Sequence, residues 1–326
     1  MAPNFHLLTV PRHSLLQVVQ FLELYQLIIF SLLSKQARSL ASLVDTSEIQ
    51  HININALPTI QIFIHLKNNK QLIYIEISNR SLFIRLETPT RDFFVNSCKK
   101  ENYTREDWIC DLFTVLPQRK VWKLTFGDVE EKFLEGIQKC EELKIKENCP
   151  LLLKQRALQV YSKEAKEITV ENFLVEKIHS IRNLDYLEIN HIPNLNEVNQ
   201  PILDLDSLLT INSIYFTTVC PSLKILNKFV KLWSRKKTNT RLRHARFLLS
   251  NQQFKIKEIL AGIPYQESAE IRKFNYPKKD YEKDWEKAHR MIYDFKGGFD
   301  FRRCDGTLGT IFWNKMFSRI DFFVWY

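Results

Sequence analysis

Glycine is scarce in this sequence, and its scarcity excludes several classes of nucleotide-dependent chemistry. Seven of the 326 residues are glycine, and four of those lie between Gly297 and Gly309. Phosphate loops and dinucleotide fingerprints need clustered glycines, because the backbone must approach the phosphate closely. The chain has neither a G-x-G-x-x-G motif nor a G-K-[ST] loop, so nucleotide-driven catalysis is disfavoured.

Cysteine pairs and organised catalytic motifs are also missing. The six cysteines are widely spread, with no C-x-x-C pair and no zinc-type spacing to a histidine: Cys98, Cys110, Cys140, Cys149, Cys220 and Cys304. No H-E-x-x-H motif marks a metal site, and no G-x-S-x-G elbow marks a serine nucleophile. We therefore expect reduced thiols, no cofactor, no metal and no catalytic residue, so that the chain is not an enzyme.

A long uninterrupted hydrophobic run is lacking as well. The segment from Leu15 to Leu33 is strongly apolar, but four polar residues interrupt it: Gln17, Gln20, Glu23 and Gln26. Such side chains are costly inside hydrocarbon, and no A-x-A-like cleavage site follows. We expect neither a signal peptide nor a membrane partner, and a location in the cytoplasm or nucleus.

The composition that remains is that of a folded protein, with 45% hydrophobic and 26% charged residues. Residues 1–45 predict three short helices, with Ser14 as the first N-cap, a break near Glu23 and Ser34 capping the third helix. The second of these helices is apolar nearly all round, so it must be buried on more than one face. In so short a module, that second face implies a partner.

The remainder, 46–326, predicts a mixed α/β body. Residues 46–100 alternate isoleucine or leucine with mostly polar residues, which indicates antiparallel strands with one buried face. Residues 108–250 alternate short strands and helices about 20 to 30 residues apart, which favours leucine-rich-repeat-like units. The strand-like runs are 121–126, 143–145, 168–170, 186–189, 213–216 and 245–249, and the helix-like stretches include 129–140 and 223–233.

Turns and a short terminal sheet complete the prediction. Lys67–Lys70 and Ser78–Ser81 are turn sequences, because asparagine tolerates left-handed conformations. A C-terminal β element is predicted from 299–303, 310–313 and 322–326, with a hairpin at Asp305-Gly306. The order Asp305-Gly306-Thr307 does not match the Asp-Thr/Ser-Gly of aspartic proteases, so we interpret it as a turn. The tryptophans Trp122 and Trp233 follow the strand and helix periods and are predicted to be core.

The N-terminal motif resembles the F-box. The similarity rests on Phe5-His6-Leu7-Leu8-Thr9-Val10-Pro11, on Leu15, Val18, Val19, Leu22 and Leu27, and on Ser31-Leu32-Leu33-Ser34-Lys35. In two places the sequence departs from the family pattern. His6 stands where proline is usual, and Glu23-Leu24-Tyr25-Gln26 replaces the acidic-proline start of the second helix, which leaves the interhelix break unsupported.

The far end of the chain resembles the F-box-associated region of the large nematode-type F-box family, over about 180–326. The matching stretches are Leu205–Leu209, Leu226–Trp233, Ile259–Ile263 and Phe299–Thr307. The resemblance implies that the F-box docks on the Skp adaptor of a cullin-scaffold ubiquitin ligase, while the body recruits a protein substrate that the sequence does not identify. The implied docking residues are Val10, Pro11, Leu15, Leu16, Val19, Leu22, Leu27 and Leu32, some of which must instead form the module's own core.

A basic cluster supports a different hypothesis. Nine cationic or titratable residues fall within a short stretch: Lys228, Lys231, Arg235, Lys236, Lys237, Arg241, Arg243, His244 and Arg246. They fit an acidic partner, nucleic acid, a nuclear-import signal or simply a solvated helix face, which we favour. The candidate partner-binding residues are Lys228, Arg235, Lys236, Lys237 and Trp285. The alternative function is a basic nucleic-acid-binding protein or a stand-alone protein-interaction module.

Overall fold

A computed structural model describes residues 11–67, 71–88, 92–117, 121–129, 137, 139–171, 183–190, 212–220, 222–249, 254–274 and 293–326. The chain divides into two compact units, Met1–Ile168 and Thr169–Tyr326. The predicted boundaries 1–45 and 46–326 stay predictions.

The first unit contains the N-terminal helices and a sheet. Its described elements are α1 (Arg12–Gln20), α2 (Leu24–Ser31), α3 (Lys35–Ala41), β1 (Ile49–Ala56), β2 (Ile60–Leu66), β3 (Leu72–Ser78), β4 (Ser81–Glu87), β5 (Asp92–Lys99), α4 (Arg105–Phe113), β6 (Val121–Phe126), β7 (Glu142–Ile145) and α5 (Leu151–Tyr161). A further strand, β8 (Glu167–Glu171), crosses the boundary between the units.

The second unit is a mixed sheet with two described α-helices and one short 3-10 helix, Lys315–Phe317. Its elements are β9 (Leu184–Asn190), β10 (Ser213–Cys220), α6 (Leu223–Ser234), β11 (His244–Leu249), α7 (Ile256–Ile259), β12 (Gln266–Phe274), β13 (Tyr293–Arg302), β14 (Leu308–Asn314) and β15 (Arg319–Trp325). A mixed α/β chain with N-terminal helices followed by a large β body is thus confirmed.

The ends of the N-terminal helices follow from local hydrogen bonding. Ser34 caps α3 as predicted, because its Oγ accepts a hydrogen bond from the Ala37 N–H at 3.1 Å. The prediction of Ser14 as the first N-cap is wrong, since α1 begins at Arg12, directly after Pro11. Proline has no N–H to satisfy and its fixed φ suits the start of a helix. The break near Glu23 is confirmed, because Glu23 separates α1 from α2.

The antiparallel strands predicted for 46–100 are confirmed. In the first unit the strand order is β7-β6-β1-β2-β3-β4-β5, and each pair from β1 to β5 is antiparallel. Every second residue of β2, of β3 and of β1 from Ile52 onward is buried, which gives the sheet one packed face. The Ser78–Ser81 turn joins β3 to β4, but Arg80 and not Asn79 takes the left-handed conformation, with φ of 67°.

Parallel strands appear where strand–helix alternation was predicted. β6 pairs in parallel with β1 and β7, and in the second unit β10 pairs in parallel with β9 and β11. The helix α6 connects β10 to β11, as short alternating units require. The leucine-rich-repeat-like character of 108–250 stays a prediction. The predicted helix over 129–140 lies mostly outside the described residues.

The C-terminal β element is antiparallel and packs around a glycine. β15 lies between β11 and β14, and β14 pairs with β13, which pairs with β12. A Cβ on Gly309 would lie 2.8 Å from Phe322 and 3.1 Å from both Phe301 and Trp233. Trp233 is fully buried as predicted, so only glycine fits at this crossing. The Asp305-Gly306 turn is confirmed, with φ of 89° at Gly306.

One predicted feature differs in the structure, and another lies partly outside the described residues. Trp122 is half-buried and so is not the core residue predicted, because the register between β1 and β6 shifts beside it. The Lys67–Lys70 turn extends into the undescribed residues 68–70. Among the helices that the structure describes, none has the length and apolarity needed to cross a membrane.

Candidate adaptor-binding and partner-binding surfaces

Half of the predicted docking residues form the core of the N-terminal helices. Leu15, Val19, Leu27 and Leu32 are between 0% and 4% exposed. Their side chains are buried between the N-terminal helices. A partner therefore does not reach them while these helices stay folded. The docking assignment stays a prediction, but these four residues contribute to it only by shaping the module.

A stripe along α1 that includes two large apolar side chains remains accessible. Pro11, Ser14, Val18 and Phe21 are spaced by three, four and three residues, which places them on one helical face. Val18 is 48% exposed and Phe21 is 89% exposed. We call these four residues the α1 stripe.

The other predicted docking residues lie beside the α1 stripe or beyond the described region. Leu16 and Leu22 are half-buried, and Val10 lies outside the described residues. Leu33, which follows α2, is 67% exposed. Val18, Phe21 and Leu33 are not among the docking residues predicted from the sequence. The helical period that joins Phe21 to Val18 and Ser14 is the signal that identifies the first two, and no comparable period identifies Leu33.

The interhelix break, interpreted from sequence as unsupported, has its own support. The Gln26 side chain accepts a hydrogen bond from the Glu23 backbone N–H at 3.0 Å. This is half of a capping box, in which the third residue of the helix reaches back to the N-cap. The expectation of an unsupported break is therefore wrong, because glutamine performs the task that proline performs by geometry in the usual family sequence.

A cluster of polar contacts joins α3 to α4, and we call it the α3–α4 clamp. Asp111 forms an ion pair with Arg38 and accepts a hydrogen bond from the Tyr103 hydroxyl at 2.9 Å. Lys100 Nζ lies 3.9 Å from the Asp111 carboxylate and 4.1 Å from the centre of the Tyr103 ring. The Arg38 and Asp111 side chains are only 15% and 12% exposed. The N-terminal helices are therefore fixed to α4 by largely desolvated charge pairing.

The sheet of the first unit has an open face opposite its packed isoleucines. Three rows of side chains cross the strands on this face, each in direct cross-strand register. They are His51–His65–Leu72–Glu87, Asn53–Phe63–Tyr74–Arg85 and Asn55–Gln61–Glu76–Phe83. All twelve side chains are half-buried or exposed. We call this surface the open face.

Rings and carboxylates organise the middle of the open face. The Phe63 and Tyr74 rings lie 5.2 Å apart, and the Arg85 guanidinium lies 5.6 Å from the Tyr74 ring centre. The Tyr74 hydroxyl donates to Glu76 at 2.7 Å. Desolvation, followed by this hydrogen bond, raises the pKa of Tyr74 to about 12.

Two stacked histidines lie at one side of the open face. The His51 and His65 rings are 4.2 Å apart and nearly parallel. Burial, with a smaller contribution from the neighbouring His51, lowers the pKa of His65 to about 4, so His65 is neutral near pH 7. Stacked rings do not direct their nitrogen lone pairs at one point, so the pair is poorly suited to holding a metal ion.

The basic cluster predicted around α6 does not form one continuous surface. Lys236 pairs with Asp305 at 3.4 Å, and Arg241 pairs with Asp185 at 3.1 Å. Lys228, Arg235 and Lys237 remain exposed. Trp285 lies outside the described residues. The dispersal supports the solvated-face interpretation, because several cations of the cluster are neutralised within the fold.

The most buried members of that cluster surround a single carboxylate on β15. Asp321 is fully buried and lies 2.9 Å from His244 Nε2, 3.2 Å from Arg246 Nε and 3.0 Å from Arg319 Nε. Burial lowers the pKa of His244, and the bond to Asp321 offsets this only in part. Burial alone would raise the pKa of Asp321, but His244 and the two arginines hold it below its ordinary value. These groups tie β11 to β15.

The motif Phe299–Thr307 also has a structural role. Asp300 binds Arg272 of β12 through two contacts of 2.7 Å and accepts a hydrogen bond from the buried Thr310 hydroxyl at 2.6 Å. Arg303 donates to Asp305 at 3.0 Å, and its guanidinium lies 5.1 Å from the Trp233 ring. The charged residues of this motif hold strands and α6 together, which leaves them little freedom to bind a partner.

The thiols are poorly placed for chemistry. Five cysteines whose side chains are described form no disulfide: Cys98, Cys110, Cys140, Cys149 and Cys304. Burial raises the pKa of Cys140 to about 12 and that of Cys149 to about 11, which suppresses the reactive thiolate. Within the described residues no group of three or more metal-ligating side chains forms a metal site.

Comparison with known families matches the N-terminal helices and part of the second unit. The F-box domain family matches residues 7–46, and the F-box associated family matches residues 177–247. The chain therefore contains an F-box match and an F-box-associated match, as the sequence resemblance predicted. The resemblances quoted at Ile259–Ile263 and Phe299–Thr307 lie beyond the matched range. No curated protein and no solved structure matches the chain significantly.

Proposed function

We propose that this protein is a substrate-recognition subunit of a Skp–cullin–F-box ubiquitin ligase. The single observation that carries the proposal is the F-box match at residues 7–46, because F-box domains typically bind a Skp-type adaptor. The protein then acts by proximity. It raises the local concentration of a target's lysines near the conjugating enzyme and performs no covalent step itself.

The α1 stripe is the adaptor-docking surface in this proposal. Exposed apolar residues at helical spacing are the side chains that a helix inserts into a partner's groove. Phe21 is the strongest contributor because it is large and 89% exposed. Leu33 extends the apolar surface beyond the stripe. The buried Leu15, Val19, Leu27 and Leu32 maintain the helical frame that presents these residues.

The β-rich remainder recruits the target in this proposal. A rigid connection between docking and recruiting regions matters, because ubiquitin transfer depends on where the target's lysines are held. The α3–α4 clamp supplies such a connection within the first unit. Parallel strand–helix units of the leucine-rich-repeat type would provide a broad surface for a protein, consistent with the strand pairing around β6 and β10.

A pull-down with purified Skp adaptor tests the docking surface. The full chain is compared with a Val18→Asp, Phe21→Asp double variant, whose exposed positions permit folding. The matched control is Leu152→Asp, at a residue of α5 that is 70% exposed. We expect the native chain and the control to bind and the double variant not to bind. Equal binding by all three chains would contradict the α1 stripe as the docking surface.

Nucleic-acid binding is the second candidate function. The observation that favours it is the exposure of Lys228, Arg235 and Lys237 in a chain of net charge +10. Such binding would weaken steeply with salt. It would be lost when Arg235, Lys236 and Lys237 are replaced by glutamine. Because several nearby cations pair with carboxylates, we expect only weak, salt-sensitive association.

A further inference from the structure

The middle row of the open face has the composition of a protein-binding centre. Asn53, Phe63, Tyr74 and Arg85 follow one another across four adjacent strands in direct register. We propose that this face binds a polypeptide segment of the target, neutral or basic, that places apolar or aromatic side chains on Phe63 and Tyr74. The proposal rests on the adaptor function proposed above and assigns the surface that holds the target.

The open face contrasts sharply with the packed face of the same strands. The isoleucines of β1 to β3 that alternate with its residues are at most 1% exposed, namely Ile49, Ile52, Ile54, Ile60, Ile62, Ile64, Ile73, Ile75 and Ile77. On the open face, Phe63 and Tyr74 stay half-buried and Phe83 is 36% exposed. Aromatic rings at these positions do not complete the core, so their presence on the accessible side calls for another partner.

The geometry of the aromatic row suits the anchoring of a polypeptide. The Phe63 and Tyr74 rings are 5.2 Å apart, and the Arg85 guanidinium lies 5.6 Å from the centre of the Tyr74 ring. Tyrosine and arginine are among the residues that contribute most to protein interfaces. A strand surface holds these side chains in fixed positions.

Amide groups beside the aromatic row add hydrogen-bonding capacity. Asn53 Nδ2 lies 3.4 Å from His65 Nε2, while Asn53 Oδ1 is buried without a hydrogen-bond partner among the described residues. Because this oxygen is shielded from solvent, a bound polypeptide does not reach it. Asn55 and Gln61 in the next row offer both donors and acceptors.

The charges of the open face favour a polypeptide over nucleic acid. Arg85 lies 3.8 Å from Glu87, and Lys123 at the adjoining edge of β6 lies 2.7 Å from Glu142. Glu76 adds a carboxylate beside Tyr74. The neutral His65 contributes no positive charge near pH 7. Phosphates approaching this face would meet carboxylates, whereas a neutral or basic polypeptide would not be repelled.

Selection from a phage-displayed library of short random peptides tests the proposal, with the full-length chain as bait. Selected peptides are synthesised, and their affinities are measured for the native chain and for Tyr74→Ala, Tyr74→Phe and Ile271→Ser variants. Ile271 is an exposed residue of the second unit and serves as the control. Circular dichroism of each variant verifies folding.

We expect aromatic or aliphatic peptides without net negative charge. Their affinity should fall about 10-fold or more for Tyr74→Ala and should be retained by Tyr74→Phe and Ile271→Ser. The proposal is overturned if no binder is selected, if the peptides are acidic, or if Tyr74→Ala binds them unchanged. It is also overturned if single-stranded nucleic acid binds the native chain and Tyr74→Ala abolishes that binding. Loss of Skp binding with retained peptide binding would refute the adaptor function alone.

Discussion

Replacing Asp111 by asparagine removes the negative charge that the α3–α4 clamp places opposite Arg38. Both side chains are largely buried, at 12% and 15% exposure, so the Arg38 cation would be left without its counter-charge. Breaking such a pair by removing one partner costs about 3 kcal/mol. The remaining hydrogen bond from Tyr103 does not compensate, because it is made to the same carboxylate.

A double-mutant cycle measures the coupling directly. Arg38→Ala, Asp111→Ala and the double variant are unfolded in urea, and the coupling free energy is obtained from the departure from additivity. We expect about 1 to 3 kcal/mol. The matched control is Lys139 and Glu164, which lie 3.5 Å apart in the same unit but are 60% and 53% exposed. Exposed pairs of this kind contribute about 0.5 kcal/mol or less.

Hydrogen exchange shows which helices lose protection when the α3–α4 clamp is broken. If the clamp fixes the N-terminal helices to α4, Asp111→Asn should increase exchange in α1 to α3 while the amides of β10 and β11 in the second unit stay protected. A coupling energy no larger than that of the exposed control pair would refute the clamp as a rigid connection.

Three further predictions concern packing, pH and capping. Gly309→Ala should destabilise the second unit by about 1 to 3 kcal/mol, measured as a lowered Tm, because the new Cβ would lie 2.8 Å from Phe322. Because the pKa of His65 is lowered to about 4, the unfolded chain binds more protons. Stability is therefore lost as pH falls below about 6.5. Between pH 7.5 and 5 the native chain should lose about 1 kcal/mol more than His65→Gln, after allowing for solvent screening. Ser34→Ala should cost about 1 kcal/mol through loss of the bond from Ala37.

Each of these three predictions can be contradicted by a specific result. An unchanged Tm for Gly309→Ala would mean that the surrounding aromatic rings shift to accommodate the new Cβ at little cost, which would contradict the tight packing at Gly309. Parallel pH profiles for the native chain and His65→Gln would contradict the lowered pKa. For Ser34→Ala, Ser42→Ala is a suitable control, because Ser42 is exposed and bonds only within its own helix. Equal losses from the two serines would contradict the capping role of Ser34.

Much of the β structure could be predicted because its side-chain period is simple. The isoleucine alternation in β1 to β3 and the apolar run of β6 are both local signals. α6 was equally clear. α4 was missed although Thr104 and Asp107 form a capping box at its start, because its polar first turn obscured the apolar period. α5 follows Pro150 as α1 follows Pro11, a start signal that was not used.

The docking surface was harder to predict than the fold. α1 is apolar on two adjacent faces, so Leu15 and Val18 give the same local signal although one is buried and the other exposed. Only the positions of α2 and α3 distinguish them. The open face could not be predicted from the sequence for a related reason. Phe63 and Tyr74 belong to different strands, and their contact depends on a register that the turns and the packed isoleucines determine together.

Reconstitution of the complex tests the central claim most directly. The full chain is mixed with purified Skp adaptor and cullin scaffold, and the mixture is separated by size-exclusion chromatography with light scattering. The adaptor account predicts one complex containing a single copy of each, and its absence with Val18→Asp, Phe21→Asp. Elution of the folded native chain apart from the adaptor and cullin would contradict the account.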